Sequence, residues 1–140
     1  MVSYTHPFNA GSAVYGHLTD PGDIPTSGEI GYLGYASAHI LADDGAGGYN
    51  YEPEDWIVQL TADFDDSSLT GFFDADGTQM DLVDGQIGGQ GVSAGLAGPG
   101  GIEGRMSGHF YGQEARAMGG TFDMTFTDGL VTGAWVAAPD

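Results

Sequence analysis

The strongest constraint on the fold is a strict alternation of apolar and polar residues late in the chain. Phe122, Met124 and Phe126 alternate with threonine and aspartate between residues 121 and 126. This period of two is typical of a β-strand that buries one face. A second apolar run ends at Gly112, so the stretch predicts two strands joined by a short polar corner.

Similar alternation recurs along most of the chain and predicts an all-β fold. We expect the strands at residues 29–40, 56–64, 69–73, 79–87, 92–97, 103–111, 120–126 and 130–137. Turn-forming Asp and Gly residues separate them, and residues 43–55, rich in Asp, Gly and Tyr, are predicted to be a loop. Eight short strands of this kind close naturally into a single antiparallel β-barrel, which leaves no open edge.

The residues that would face the barrel axis are large enough to fill it. They are Tyr32, Val58, Leu60, Phe64, Leu69, Phe73, Met80, Leu82, Val92, Leu96, Met106, Phe110, Phe122, Met124, Phe126 and Trp135. We therefore expect a packed interior and not an open cup for a ligand.

The first 27 residues differ from the rest, because prolines and glycines interrupt their few apolar residues. We predict an extended N-terminal arm over residues 1–27, followed by the barrel over residues 28–140. The arm is expected to lie across the barrel and cover apolar residues that point outward. If it does not, these residues form an exposed patch that marks an interface. They are Leu33, Tyr35, Ile57 and Phe72.

The chain is strongly acidic, with 20 Asp and Glu residues against two Arg and a formal net charge of −18. Nucleic acids and anionic membranes need cationic surfaces, so neither is an expected partner. Three interpretations stay open: a solvated acidic surface, carboxylates that bind a divalent cation, and an acidic face for a basic partner. The chain has no cysteine, which excludes disulfides. No apolar run is long enough for a membrane helix.

Four segments together resemble the barrels of the transferrin-binding-protein-like surface lipoproteins of bacteria. The corner GHFYGQEARAMGGTF at 108–122 is similar to that family's GxFYGPxAxExGGxF. Residues 13–34, 60–71 and 129–136 resemble the family's opening segment, a hairpin and its last strand. The resemblance implies a bacterial protein, secreted or on the outer-membrane surface, although no signal sequence is visible. It also implies an eight-stranded barrel. No spacing of Ser, His and Asp points to a catalytic triad, so we do not expect an enzyme. Relatives bind host iron carriers, haem or complement regulators.

Two candidate haem sites follow from this resemblance. A haem ligand needs an imidazole or phenol beside apolar walls. His39 with Tyr35, and His109 with Tyr111, are predicted to share outward faces of the barrel. The alternative is that these histidines simply face solvent.

Aspartates at alternate positions in two turns are candidate calcium ligands. Calcium prefers several hard oxygen ligands on a flexible loop. The candidates are Asp63, Asp65, Asp66, Asp74 and Asp76. Ordinary turn chemistry accounts for the same residues and stays open as the alternative.

The function expected from the sequence is non-enzymatic capture of a protein partner or a small solute in iron or haem acquisition. The alternative is a structural, assembly or adhesion protein whose barrel and arm pack against other chains. Under that alternative, the chain could form a homo-oligomer through the N-terminal arm. Haem and calcium are the two cofactors for which the sequence offers candidate ligands.

Overall fold

The architecture is a closed barrel of eight antiparallel strands in chain order. A computed structural model describes residues 17–139 of the chain. Pairing of the first and last strands, from Tyr32 with Pro139 to Ala42 with Gly129, closes the sheet. The predicted all-β barrel is confirmed. The strands are β1 (Glu29–Asp43), β2 (Tyr49–Asp63), β3 (Ser68–Ala75), β4 (Thr78–Gly88), β5 (Gly91–Ala97), β6 (Glu103–Tyr111), β7 (Ala117–Phe126) and β8 (Gly129–Pro139).

The first hairpin is longer than the sequence indicated. β1 and β2 have 15 residues each, and they pair along their whole length, from Glu29 with Asp63 to Asp43 with Tyr49. The loop prediction for residues 43–55 was therefore wrong over residues 49–55. Both faces of this segment are largely solvated, so it carries no apolar alternation that would reveal a strand.

β2 leaves part of one edge unpaired. Its pairing with β3 begins only at Ile57, opposite Asp74. Residues 49–56 therefore have β1 on one side and no described strand on the other. Three acidic residues and Pro53 lie in this open segment, and both features discourage the pairing of a foreign strand.

The interior is packed, as predicted. Fourteen of the sixteen residues expected to face inward are buried. A chain of aromatic contacts crosses the core: Trp56 to Phe122 at 5.5 Å between ring centroids, Phe122 to Phe73 at 5.2 Å, and Phe73 to Trp135 at 6.4 Å. Tilted and edge-on geometries of this kind favour aromatic pairs beyond simple area burial.

The two exceptions, Leu82 and Phe126, are half-buried and pack against the core. Leu82 lies beside an irregularity in the β4–β5 pairing between Val83 and Gln86, where Asp84 has a φ of 53°. A bulge of this kind redirects the side chains next to it. Phe126 is the last residue of β7, at the rim of the barrel.

One end of the barrel, called here the corner end, carries the short turn Gln113–Ala115 between β6 and β7. Gly112 enters this turn with a φ of 80° and Ala115 has a φ of 57°, so the chain reverses sharply. Ala115 is fully buried, and its carbonyl accepts a hydrogen bond of 2.7 Å from the hydroxyl of Tyr32. The corner motif identified in the sequence thus covers this end of the core with the buried Ala115.

The described part of the N-terminal arm also lies at the corner end. Thr19 N donates to the carbonyl of Phe110, and Gly112 N donates to the carbonyl of His17, both at 2.9 Å. Thr19 is buried: its hydroxyl donates to the Gly112 carbonyl at 2.7 Å and its own carbonyl accepts from Gln90 Nε2 at 2.8 Å. Through these contacts the arm pairs with the last residues of β6, which extend past the first residue of β5. Residues 1–16, which include most of the predicted arm, lie outside the described residues.

Candidate functional site

The most distinctive surface is an apolar stripe on the outside of β8, β1 and β2, called here the outer aromatic face. Its members are exposed side chains that point away from the core. They are Leu33, Tyr35, Leu41, Tyr49, Tyr51, Ile57 and Leu130. Cross-strand register brings them together, since Tyr35 lies opposite Ile57, and Leu41 lies between Tyr51 and Leu130. Directly opposed residues on one face of a sheet touch, so the face has two apolar groups. Leu33, Tyr35 and Ile57 form one, and Leu41, Tyr49, Tyr51 and Leu130 form the other, nearer the β1–β2 turn.

Three of the four predicted interface residues belong to this face. The exposed fractions of Leu33, Tyr35 and Ile57 are 47%, 63% and 48%. Phe72 is half-buried and points outward on β3, opposite Gln59. Leu33, Tyr35 and Ile57 thus stay exposed beside the described part of the arm, residues 17–27. Their role as an interface stays a prediction.

His39 lies within the outer aromatic face, but its close partner is not the predicted one. Its Nδ1 is 2.6 Å from the hydroxyl of Tyr51, and the two rings stack at 5.8 Å and 17°. Its Nε2 is buried and has no hydrogen-bond partner. Tyr35 shares the face but lies four residues away along β1, about 13 Å. The sequence does not reveal Tyr51 as a partner, because its exposed segment shows no apolar alternation that would predict a strand.

The second predicted pair, His109 and Tyr111, lies on β6 and is separated from β1 by β7 and β8. His109 is exposed between Gly91 and Gly119 of the neighbouring strands, which offer no side-chain wall. Tyr111 is half-buried beside Leu18, and burial raises its pKa above the ordinary value. The two candidate haem sites are therefore separate, and the one at His39 has the larger apolar surroundings.

The candidate calcium ligands fall in two turns at opposite ends of β3. Asp63 Oδ1 accepts from the backbone nitrogens of Asp65 and Asp66, at 3.0 and 3.3 Å. Asp74 Oδ1 accepts from the nitrogen of Gly77 at 2.8 Å. Such contacts are typical of Asx turns. Within residues 17–139, no three His, Asp or Glu side chains converge as a metal site, and calcium binding stays a prediction.

The barrel end opposite the corner, called here the mouth, was not anticipated as a cavity. It is formed by the β1–β2 hairpin, the β3–β4 turn, Ile102 before β6, and the adjoining ends of β7 and β8. A cavity of about 360 Å³ opens there, between apolar side chains and the carboxylates of Glu54 and Asp76. Glu54 reaches this rim only because residues 49–55 pair with β1. The cavity could therefore not be predicted while that segment was expected to be a loop.

No helix among the described residues has the length and apolar character needed to cross a membrane. No curated protein matches the chain. Solved structures do match. Transferrin-binding protein B of Haemophilus parasuis Hp5 aligns with 86% of this chain at a TM-score of 0.66 and 20% identity. The N-lobe of lactoferrin-binding protein B of Moraxella bovis aligns with 84% at 0.60 and 18%.

The chain spans about 28% of the length of the Haemophilus protein and 61% of that of the Moraxella N-lobe. A structure described only as a surface lipoprotein aligns with 96% of this chain, over 72% of its own length, at a TM-score of 0.64 and 15% identity. The profile of the C-lobe and N-lobe β-barrels of Tf-binding protein B matches residues 24–138. The chain therefore belongs to the family of the β-barrels of transferrin-binding protein B.

Proposed function

We propose that this chain is a non-enzymatic binding module of bacterial iron or haem acquisition, displayed on the outer-membrane surface or secreted. Membership of the transferrin-binding protein B barrel family supports this proposal. The names of similar proteins state that they bind transferrin or lactoferrin. In this proposal residues 28–140 form the binding barrel and residues 1–27 the arm.

The observation that carries the proposal is the outer aromatic face around His39. Clustered exposed apolar residues on a folded protein mark a binding surface, and Tyr is a favoured anchor residue in interfaces. His39 adds an imidazole whose Nε2 makes no hydrogen bond. Axial ligation of haem iron by this nitrogen requires the ring to turn away from Tyr51, which would expose Nε2 beside the apolar walls of the face.

Hemin titration followed by the Soret band tests this function. We expect saturable binding of one hemin per chain, weakened about tenfold or more in His39→Ala because an axial ligand is lost. His109→Ala is the matched control and should bind as the parent does. Absence of a saturable Soret shift, or an equal loss in both variants, would contradict haem capture at His39.

A second candidate function, self-assembly, is favoured by the exposure of Leu33, Tyr35 and Ile57 at one end of the same face. Isologous packing of two such faces would bury them in a dimer. Light scattering should then give a mass above the 14.4 kDa of one chain, and the double variant Tyr35→Ser, Ile57→Thr should restore the monomer.

The arm is the other proposed route to an oligomer. Deleting residues 1–16 keeps the pairing of His17 and Thr19 with β6, so the fold should survive. Loss of the oligomer in this deletion, with a normal melting transition, would assign assembly to the arm. A truncated chain that keeps its higher mass would exclude that route.

A further inference from the structure

The mouth of the barrel combines an apolar floor with an acidic rim. Its floor is made of side chains that also belong to the core or pack against it, among them Ile40, Trp56, Met80, Ile102, Met124 and Phe126. Trp56, Met80 and Met124 are at most 4% exposed, while Ile40, Ile102 and Phe126 stay half-buried around them. The cavity thus has a well-packed base and partly accessible apolar walls.

The two ends of the barrel differ in how they are sealed. At the corner end, Ala115 and Thr19 are buried and hydrogen-bonded over the core. At the mouth, no described segment covers the core in this way, and a cavity of about 360 Å³ stays open. This volume lies at the small end of the range for ligand pockets, so it suits a small molecule or a single protruding side chain.

Carboxylates are the charged groups at this rim. Glu54 and Asp76 line the cavity, and an adjoining groove of about 460 Å³ adds Asp55 and Asp74. Neither arginine of the chain is among the residues lining either space: Arg105 lies on the outside of β6 and Arg116 in the corner at the other end. The acidic groups are therefore not neutralised by a described basic side chain at the mouth.

A hydrogen bond joins Trp56 of the floor to Glu54 of the rim. The indole Nε1 donates to Glu54 Oε1 at 2.9 Å, which fixes the indole plane and uses one of the two carboxylate oxygens. The ring of Phe122 packs against the indole in a tilted geometry, with 5.5 Å between the ring centroids. An aromatic ring beside a carboxylate attracts ammonium groups, because the cation interacts both with the π face and with the negative charge.

We propose that the mouth binds a small amphipathic cation, with an aromatic or branched aliphatic body in the cavity and an ammonium group at the Glu54 and Asp76 rim. The body displaces water from Ile40, Trp56 and Phe126, and the ammonium group meets the carboxylates. Ligands that carry carboxylates or phosphates are repelled. The site is distinct from the outer aromatic face, so hemin, with its two propionates, is not an occupant of the mouth.

Three probes of matched shape test the proposal: 2-phenylethylammonium, neutral 2-phenylethanol and anionic phenylacetate. The readout is the ¹H–¹⁵N spectrum of the full chain, in which the two tryptophans give two indole N–H signals. Trp56→Phe assigns them. We expect 2-phenylethylammonium to shift the Trp56 signal in a saturable way while the signal of buried Trp135 stays in place. The neutral probe should bind about fivefold or more weakly, and the anion more weakly still.

Charge-neutral variants locate the ammonium group. Glu54→Gln keeps an oxygen acceptor for the Trp56 indole, and Asp76→Asn suits the positive φ of 52° at that position. The double variant should weaken 2-phenylethylammonium about fivefold and leave 2-phenylethanol unchanged. Glu29→Gln, an exposed residue at the corner end, removes the same type of charge and is the matched control.

Several results would overturn the proposal. They are equal binding of all three probes, no shift of the Trp56 signal by any probe in a folded sample, or an equal loss of affinity in Glu29→Gln. Loss of binding at high NaCl for the cation alone would support it, since salt screens the rim carboxylates but not the apolar contacts.

Discussion

The side chain of Tyr32 joins two parts of the chain that are 83 residues apart in sequence. It points from β1 into the core, is 1% exposed, and donates to the carbonyl of Ala115 in the corner turn at 2.7 Å. That turn has two residues with positive φ and therefore carries backbone strain. A single phenol group thus fixes the strained corner to the first strand of the barrel.

We predict that Tyr32→Phe lowers the free energy of unfolding by about 1–2 kcal/mol, because the buried Ala115 carbonyl loses its partner. Urea denaturation measures this change. Tyr35→Phe is the control, since Tyr35 lies on the same strand but is 63% exposed, and it should be close to neutral. Equal stability of the Tyr32 variant and the parent would show that the hydrogen bond does not stabilise the corner.

We also predict that the contribution of Tyr32 to the stability of the fold depends on pH. Burial raises the pKa of Tyr32 from its ordinary 10.0 to about 12, so at pH 10 to 12 the unfolded chain loses the phenolic proton while the folded chain keeps it. The stabilisation is therefore complete below pH 10 and is lost as the pH rises through 12. Melting temperatures measured across this range should fall less steeply in Tyr32→Phe than in the parent. Parallel profiles would contradict this assignment.

At the scale of strands, the sequence predicted those elements that bury one face, because burial produces the apolar alternation. β6 was predicted with its observed bounds, and the alternation of Phe122 and Met124 placed β7 correctly. Residues 49–55 of β2 were missed because they pair with β1 but bury almost nothing. The contact between His39 and Tyr51 and the mouth cavity depend on that pairing, so neither followed from the sequence.

Glycines in the strands have two different roles, which a matched pair of variants separates. A Cβ at Gly34 would lie 1.8 Å from the carbonyl oxygen of Val136, whereas at Gly31 no atom lies within 4 Å. We predict that Gly34→Ala destabilises the barrel by about 3 kcal/mol or more, because β8 must move away from β1. Gly31→Ala should change the free energy of unfolding by less than about 1 kcal/mol. Similar urea midpoints for both variants would contradict close packing of β1 on β8.

The open edge of β2 gives a prediction about association. Backbone nitrogens of even-numbered residues in this segment face β1, as the bond from Asp44 N to Gly48 O sets the phase. Pro53 therefore sits where its missing N–H faces the open edge. Pro53→Val should restore that donor and increase concentration-dependent association, measured by light scattering. Glu52→Val, at a position whose N–H faces β1, tests whether added apolarity alone has the same effect.

At the scale of the whole molecule, charge is the dominant feature. A net charge of −18 on 140 residues opposes compaction through self-repulsion. The described aspartates are spread over turns at both ends and over the outer faces. Four of them, Asp43, Asp44, Asp63 and Asp74, accept hydrogen bonds from backbone nitrogens two or three residues further on. Each of these aspartates can therefore stabilise its own turn, while repulsion among all the carboxylates lowers the stability of the fold to an extent that depends on ionic strength.

We predict that the melting temperature rises steadily as NaCl increases from low concentration to about 0.5 M, because screening weakens the repulsion between carboxylates. Millimolar CaCl₂, compared with NaCl at the same ionic strength, separates general screening from calcium binding. An excess stabilisation by calcium that disappears in Asp63→Asn or in Asp74→Asn would assign the ion to one turn. Equal effects of the two salts would leave Asp63 and Asp74 as turn residues, and a melting temperature independent of NaCl would contradict the role of self-repulsion.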